Sequence, residues 1–455
     1  MSERTPVSNS MMNSQSEPAG QAKAVAVGRI FEGVPLTIEH LKAGLALFMV
    51  FAIDAWEMMI MVYTSPLISR DFNLGPVEVG ALIGSIFIGM TIGSLLWGPV
   101  CDRLGRKKSI IFSLLSFGAI SLVGAFSVSY MMLYVIQLLA GVAAAGMFVT
   151  TFPLFEELLP VKVRGKYTVY LASGWPIGML MALGVVTVFS PFGWRWIIAF
   201  SALASLWAVV VWRWVPESPY WLAGAGRQSE AKDVIAKLSG NKIVIPALQT
   251  LAVEEVQRGS TAAIFNKKLR GTTILQVLIN FSFSWGYWGL QTWLPTLLAQ
   301  RGLSLPESYS FIALSAVCMI PGYISASFLT GRYGRKKVMI AYVALSAVAG
   351  FGFANATSVE ALYLCNFLLA FFSLGAWGVW DTWIGELYPT GVRVIGYSWG
   401  VMAQRLANTV APSVVGVLVA HSTSFSMTAN FINMFLFATV ILALFLPETE
   451  GEDLH

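Results

Sequence analysis

Long apolar runs alternate with short polar loops along most of this chain. A helix needs about 17–25 mostly apolar residues to cross the roughly 30 Å hydrocarbon layer of a bilayer. Runs of that length predict twelve spans, at about 41–65, 78–100, 109–127, 129–152, 167–189, 194–214, 272–299, 307–330, 338–355, 358–384, 394–419 and 427–446. The pattern therefore predicts an all-α membrane protein with twelve transmembrane helices.

Polar segments flank and divide these spans. Residues 1–36 are rich in Ser, Asn, Gln, Gly and Ala and lack the apolar core of a signal peptide, so we expect a disordered cytoplasmic tail. Residues 215–271 separate a six-helix half at 37–214 from a second half at 272–447, and their stretch GRQSEAKDVIAKLSG predicts an amphipathic helix beside the membrane. Residues 448–455 form a short tail.

The composition agrees with a membrane solvent. Hydrophobic residues make up 56% of the chain and charged residues only 12%, against about 25% charged residues in soluble domains. Three distant cysteines, Cys101, Cys318 and Cys365, have no CxxC or zinc spacing, so we expect neither a disulfide framework nor a metal site. No cofactor is expected beyond protons as a coupling ion.

The basic loops lie on one side of the predicted membrane. Lys and Arg cluster in the loops 103–108, 162–166 and 332–337, whereas the loops 127–129, 190–193 and 355–358 carry none. The positive-inside rule then places both termini and the long central loop in the cytoplasm. The net charge of +5 is thus a topology signal, and no nucleic-acid partner is expected. The pattern favours the cell inner membrane.

Three unlike motifs recur at one offset of 229 residues. GRKK at 105–108 recurs at 334–337, ELLPVKVRG at 157–165 matches ELYPTGVRV at 386–394, and Pro66 matches Pro295. PESPYWL at 216–222 has a shorter echo in PETEG at 447–451, offset by 231. Two six-helix halves in parallel repeat would enclose a site between them near the membrane midplane.

These motifs carry a family resemblance over about 40–450. The loop after the second span reproduces the pattern GxxxD(R/K)xGR(R/K) of the major facilitator superfamily, with Gly98, Asp102, Arg103, Gly105, Arg106 and Lys107. The PESPYWL and PETEG ends resemble those of its sugar porters and those of the branch with organic anion and cation transporters, synaptic-vesicle-type proteins and niacin or aromatic-acid carriers. IGELYPTGVRVIGYSWG is most similar to the second branch. The resemblance implies a transporter that works as a monomer.

The resemblance also implies gating residues. In the superfamily this loop stabilises the outward-facing form, and a role of that kind falls here to Asp102, Arg103 and Arg106. Gly98 and Gly105 suit a close helix approach and a tight turn. The charges are also compatible with a purely topological role.

The Glu-x-x-Pro-x-x-x-Arg loops supply the remaining gating candidates, Arg164, Glu386 and Arg393. Acids toward the inner ends of spans 4 and 10 are expected to form salt bridges with Arg164 and Arg393; these acids are Glu156, Glu157, Asp381 and Glu386.

Two carboxylates lie midway along the first span. Asp54 and Glu57 are three residues apart and so share one helix face, where a charge costs at least about 2.5–3.5 kcal/mol. The repeat offset places Phe283 and Gly286 at the corresponding positions, so the fold does not require the acids. Desolvation and a like-charged neighbour both favour the protonated form. The pair therefore predicts proton coupling or substrate contact, with a hydrogen-bonded structural pair as the alternative.

One cation matches these acids. Arg405 lies near the middle of span 11, and its planar fork suits bidentate binding of a carboxylate. It would otherwise pair with Asp54 or Glu57 across the two halves. In the organic anion and cation transporters, members with an Arg in this helix transport anionic substrates. The resemblance therefore implies that Arg405 binds an anion.

Aromatic and amide side chains predict a cleft for a flat substrate, with core packing as the alternative. The candidates in spans 7 and 10 are Asn280, Trp285, Tyr287, Trp288, Gln291, Trp377 and Trp380, and Gln137 in span 4 is a further polar candidate.

Together these features predict a secondary transporter that imports a small organic anion with protons. Its partners are then a small organic molecule and the lipid bilayer. A sugar porter is the alternative, although span 7 lacks the expected paired glutamines, and an organic-cation or drug transporter is disfavoured by Arg405. An enzyme is not expected, because the three His are in no charge cluster. ATP-driven pumping is not expected either, because no P-loop GxxxxGK[ST] is present.

Overall fold

The computed structural model describes residues 25–32, 34–160, 163–243, 245–246, 249–253, 261–389, 392–421 and 424–449. Most of the predicted tail (1–36), Lys162 in the second basic loop, and residues 450–455 of the C-terminal tail lie outside the described residues.

Within the described residues, twelve spans in two six-helix halves form the bundle, as predicted. Spans 1 to 6 are Ile38–Phe72, Pro76–Leu104, Arg106–Gly124, Tyr130–Leu158, Tyr170–Phe192 and Trp194–Trp214. Spans 7 to 12 are Arg270–Gln300, Leu305–Tyr333, Arg335–Asn355, Val359–Glu386, Arg393–Ala420 and Phe425–Ala443.

Two spans are more polar than the rest. Among the described residues, ten helices are long and apolar enough to cross a membrane by length and composition alone. Spans 7 and 11 are also long enough, at 31 and 28 residues, but they carry polar residues such as Asn280, Gln404 and Arg405. Polar side chains in a membrane helix face the bundle interior because lipid cannot satisfy them, so these two helices must line the centre.

Spans 5 and 6 are interrupted helices. Ser173 separates the helix Arg164–Ala172 from Gly174–Phe189, which ends in a 3-10 turn at Ser190–Phe192. Span 6 consists of Trp194–Ser201 and Trp207–Trp214, joined by a 3-10 turn at Ala202–Leu206. Such turns inside a helix are common at hinges.

The internal repeat is confirmed at the starts of spans 3 and 9. Gly105 and Gly334 precede these helices with φ of 94° and 92°, values that favour glycine. Glu217 accepts hydrogen bonds from the first two backbone N–H groups of span 3, at 2.9 and 3.0 Å. Glu448 does the same for span 9, at 2.8 and 3.2 Å. A carboxylate at a helix N-terminus is favoured by the helix dipole.

Residues 25–32, before span 1, are structured, which corrects the expectation of a disordered tail up to residue 36. Val25–Ala26 pairs in parallel with Leu251–Ala252, and the helix Val27–Glu32 follows. Phe31 is fully buried, 5.9 Å from the Tyr220 ring. This burial accounts for the order, because an apolar side chain on the segment gains a packed site against the central linker.

The central linker contributes further short helices. Pro219–Gly224, Gln228–Leu238 and Thr261–Ile264 are helical. The predicted amphipathic helix is confirmed, since Gln228–Leu238 buries Ala231, Ile235 and Leu238 along one face.

The two halves touch at one end of the bundle and separate at the other. A Cβ at Gly80 of span 2 would lie 2.5 Å from the Pro412 carbonyl oxygen of span 11, and one at Gly84 would lie 3.1 Å from that of Thr409. A Cβ at Gly98, further along span 2, would meet nothing within 4 Å. The close helix approach predicted at Gly98 is therefore absent in this conformation, because no neighbouring helix comes within 4 Å of that position. We call the end with the basic loops 103–108 and 332–337 the open end and the other the closed end.

Candidate functional site

Asp54 and Glu57 are enclosed near the middle of span 1. Their exposed fractions are 0% and 2%. Among the described residues, none of their four carboxylate oxygens has a hydrogen-bond partner. Asp54 is near enough to interact electrostatically with both Glu57 and Arg405. The two acids thus share one space, as their spacing predicts, and the hydrogen-bonded structural pair is not what this conformation contains.

Arg405 lies where the two halves meet. Its side chain belongs to span 11 but contacts the N-terminal half, since the guanidinium carbon is 4.5 Å from the centroid of the Phe148 ring. Nη1 points at the sulfur of Met90, at 3.7 Å. Within the described part of the chain, no carboxylate oxygen lies within 4.0 Å of the guanidinium.

This arrangement leaves strong hydrogen-bond donors without a strong acceptor. A cation over an aromatic ring gains about 0.5–2 kcal/mol, and a thioether is only a weak acceptor. Arg405 is 6% exposed, so its charge is largely removed from water. The site can therefore bind a carboxylate through two parallel N–H···O bonds.

Beside Arg405 lies a cluster of amides that includes Asn280. Its Oδ1 accepts hydrogen bonds from Trp380 Nε1 at 2.9 Å and from Gln404 Nε2 at 2.6 Å. Its Nδ2 donates to Gln276 Oε1 at 2.9 Å. Sequence reasoning named Asn280 and Trp380 but missed Gln276 and Gln404. The signals were available, because Gln276 is one helical turn from Asn280 and Gln404 precedes Arg405.

An aromatic layer joins the halves on the closed-end side of this cluster. Trp288 meets Phe87 edge-on at 5.0 Å and Trp175 at 5.5 Å between ring centroids. Trp175 Nε1 donates a 3.2 Å hydrogen bond to Tyr287 Oη. Trp288 is eight residues beyond Asn280 in span 7, which is about 12 Å along the helix. The layer therefore covers the site toward the closed end.

Trp377 connects this layer to span 10. Its ring stacks on Phe283 with centroids 4.5 Å apart, and its edge faces Tyr287 at 6.3 Å. Phe283 is the residue of the second half that corresponds to Asp54 through the 229-residue repeat. Sequence reasoning had not named Phe87, Phe148 or Trp175, because a single aromatic residue in an apolar helix carries no signal that separates it from the core.

Three of the predicted cleft residues are not brought to Arg405. Trp285 stacks on Phe435 of span 12, at 4.7 Å, inside the C-terminal half. Gln291 is eleven residues past Asn280, and Gln137 is eleven residues before Phe148, so each lies about 16 Å along its helix toward the closed end. Both glutamines are nearly buried, at 8% exposure.

The gating candidates of the N-terminal half form weak contacts within that half. Asp102 is 65% exposed in its side chain and lies 3.5 Å from Arg106. Arg106 also lies 3.6 Å from Glu157, and Arg103 is exposed. The Asp102 carbonyl accepts a 2.8 Å hydrogen bond from Trp221 of the linker.

Among the described residues, Arg164 and Arg393 form none of the expected salt bridges in this conformation, so that prediction is wrong here. Arg164 Nε donates to the Leu159 carbonyl oxygen at 3.0 Å, and Arg393 Nε donates to that of Tyr388 at 3.3 Å. Each arginine thus makes a hydrogen bond to the loop that precedes its own helix. Glu386 pairs instead with Arg335, at 3.0 Å, which lies at the start of span 9 in the same half.

Comparisons with known proteins agree with this architecture. Residues 55–455 match the family described as sugar (and other) transporter. The chain is 30% identical to the niacin transporter NiaP of Acinetobacter baylyi, over 88% of this chain and 92% of the relative. It is 27% identical to the cis,cis-muconate transport protein of the same species, over 89% and 93%.

A solved structure shares the fold. The inward open conformation of the xylose transporter XylE from E. coli superposes with a TM-score of 0.74 at 19% identity, covering 91% of this chain and 98% of XylE. The sequence match, the twelve-helix fold and the repeated halves together place the protein in the sugar (and other) transporter family of the major facilitator superfamily.

Proposed function

We propose that this transporter imports a small organic anion, an aromatic or other carboxylate, together with protons by alternating access. It lies in the cell inner membrane with the open end and both termini toward the cytoplasm. The basic loops at the open end support this orientation through the positive-inside rule. The conformation described above is then the inward-facing state, in which substrate leaves.

The observation that carries the proposal is the position of Arg405. Its guanidinium lies between the halves against Phe148 and Met90, where a charge without a paired carboxylate is costly. An anionic substrate would supply the missing partner and contact both halves at once. A ligand that contacts both halves binds most tightly when the halves close around it, and alternating access requires such closure.

Asp54 and Glu57 are the proposed proton carriers. Their oxygens have no hydrogen-bond partner among the described residues, and burial favours the neutral acid. While substrate neutralises Arg405, Asp54 loses a compensating positive charge and keeps its proton. When the substrate leaves toward the cytoplasm, the guanidinium again stabilises the ionised form of Asp54. Asp54 then releases its proton to the same side.

Two relatives support the substrate class. Their names give niacin and cis,cis-muconate as what they transport, and both molecules are small unsaturated carboxylates. Each would offer carboxylate oxygens to Arg405 and a flat face to the aromatic layer of Trp175, Tyr287 and Trp288.

A sugar substrate is the second candidate, favoured by the amide cluster around Asn280. Amides bind hydroxyl groups well, but here the Asn280 amide is already engaged by Gln276, Gln404 and Trp380. A sugar would have to break these bonds, and it would leave Arg405 without a partner.

A thermal-shift screen of the purified protein tests the proposal. The ligands are nicotinate, benzoate, cis,cis-muconate, xylose and tetraethylammonium, each at a mildly acidic and a mildly alkaline pH. A ligand that binds only the folded state raises the melting temperature by mass action. We expect stabilisation by carboxylates, larger at the acidic pH, followed by accumulation of the same compound in vesicles with an inward proton gradient. Stabilisation by xylose or tetraethylammonium alone would overturn the substrate class.

A further inference from the structure

We propose that Asp381 is a second proton-binding residue of the transport cycle, located in the open-end vestibule, where it receives the proton that Asp54 or Glu57 releases. The vestibule is the space bordered by Asp381, Tyr323, Tyr397 and Glu156. This inference rests on the proposed function, because it requires proton coupling.

Asp381 faces the same cleft as the site. It is one helical turn from Trp377 in span 10, and residues four apart lie on the same helix face. Trp377 contacts Phe283 and Tyr287 in the cleft. Asp381 is exposed although it belongs to a membrane-spanning helix, so it borders the vestibule on the open-end side of Trp377.

Tyrosines from the neighbouring spans surround this carboxylate. The Tyr323 ring of span 8 packs on Gly378, where a Cβ would lie 2.8 Å from the ring, one turn before Asp381. Tyr397 of span 11 is within electrostatic range of Asp381, of Glu156 in the opposite half, and of Arg405. Tyr397 and Arg405 are eight residues apart, about 12 Å along the helix. Polar groups therefore continue from the membrane midplane to the vestibule.

Two arginines of the open end have partners other than Asp381. Arg335 of span 9 lies 3.0 Å from Glu386, and Arg393 donates to the Tyr388 carbonyl oxygen. Within the described residues, Asp381 has no basic nitrogen within 4.0 Å. The sequence had predicted a salt bridge for this residue, and its absence leaves the carboxylate available to a proton.

The fold does not require an acid at this position. The offset of 229 residues relates Asp381 to Phe152, whose ring packs edge-on against Phe51 at 5.0 Å. The same offset relates Asp54 to Phe283. Each half therefore carries one acid where the other half has a phenylalanine. Ionisable residues in membrane spans are costly and are functional in most cases.

The proposed step conserves charge and atoms. After the substrate leaves Arg405, the O–H bond of the protonated Asp54 or Glu57 breaks, and water that fills the open vestibule carries the proton to the Asp381 carboxylate. Asp381 becomes a neutral carboxylic acid and then loses the proton to the cytoplasm. Tyr397, which is within electrostatic range of both Arg405 and Asp381, lies along this route.

The test compares Asp381→Asn with Asp381→Glu and with the control Thr382→Ala. Thr382 is the exposed neighbour whose hydroxyl donates only to the Gly378 carbonyl of its own helix, at 3.1 Å. Uptake of labelled nicotinate, benzoate and cis,cis-muconate is measured in right-side-out vesicles at several internal pH values. We expect Asp381→Asn to lower gradient-driven accumulation about tenfold, equivalent to 1.4 kcal/mol, and to lose its dependence on internal pH. Counterflow exchange stays at the wild-type level, and Asp381→Glu restores the gradient-driven uptake.

Wild-type accumulation and wild-type dependence on internal pH in Asp381→Asn would overturn this inference and leave the proposed function standing. If the wild-type protein accumulates none of the three carboxylates, the proposed function fails instead. A substrate-free measurement then still decides about Asp381. Infrared difference spectra between acidic and alkaline pH, recorded with isotope-labelled aspartate, should lose one carboxylic-acid band in Asp381→Asn within an Asp54→Asn background. An unchanged spectrum would refute proton binding at Asp381.

Discussion

The Tyr309 hydroxyl donates a 2.8 Å hydrogen bond to the backbone carbonyl oxygen of Tyr63. The bond joins span 8 to span 1, and so it ties one half to the other at the closed end. Both residues are buried, at 5% and 0% exposure. Together with the bond from Trp175 to Tyr287, it is a polar contact that the halves must break before the closed end opens.

Removing this contact should shift the transporter toward the opposite conformation. Tyr309→Phe deletes one neutral hydrogen bond, which contributes about 1 kcal/mol, or roughly a fivefold change in the population ratio. Spin labels at Lys108→Cys and Lys337→Cys report the change, since both positions are exposed at the open end, one in each half. We expect a larger share of short distances between the labels. Ser310→Ala, on the neighbouring exposed position, is the control and should leave the distribution unchanged; the same distribution in Tyr309→Phe would contradict the prediction.

Neutralising the span 1 acids should separate coupling from binding. Asp54→Asn and Glu57→Gln each remove a proton-binding group that has no hydrogen-bond partner among the described residues. We expect both variants to lose accumulation driven by a proton gradient, and at least one to retain counterflow exchange. Asp71→Asn is the control, because this acid of the same helix pairs with Arg195 at 2.7 Å near the closed end. Full accumulation in both Asp54→Asn and Glu57→Gln would remove the coupling role.

Replacing Arg405 by lysine should weaken anion binding. Arg405→Lys keeps the charge but loses the fork and the stacking on Phe148. A hydrogen bond to a charged group contributes about 1.5–3 kcal/mol, so the Kd for the bound carboxylate should rise roughly tenfold to hundredfold. Titration calorimetry with nicotinate, benzoate and cis,cis-muconate measures it. Arg195→Lys at the closed end serves as the matched control. An unaltered Kd in Arg405→Lys would direct the substrate assignment to a sugar or a cation.

Packing of span 5 against span 1 should depend on Gly178 but not on Gly184 of the same helix. A Cβ at Gly178 would overlap the Ala52 carbonyl oxygen, whereas a Cβ at Gly184 would meet nothing within 4 Å. Overpacking costs about 1–3 kcal/mol, so Gly178→Ala should lower the Tm in detergent. Gly184→Ala should keep it or raise it slightly, because alanine is the better helix former. Equal Tm values for the two variants would show that span 5 does not approach span 1 this closely.

The sequence predicted most of the fold and part of the candidate site. The spans follow from run length, and the repeat from GRKK and its partner at one offset. Asp54, Glu57 and Arg405 stood out because a charge in an apolar run is rare. Gln276 and Gln404 were missed because amides are common in helices, and Phe87, Phe148 and Trp175 because aromatic residues are common in any apolar run.

The sequence by itself thus determined the twelve helices, the two halves and the presence of ionisable residues in spans 1, 10 and 11. These are properties of single helices, fixed by how the bilayer treats each run of side chains. Only the tertiary structure decided which charges meet. Glu386 reaches Arg335 and not Arg393, and Asp381 has no basic partner within 4.0 Å among the described residues. The reason is that these charges lie on different helices, whose relative placement depends on packing between residues far apart in the chain, and no spacing along one helix encodes that placement.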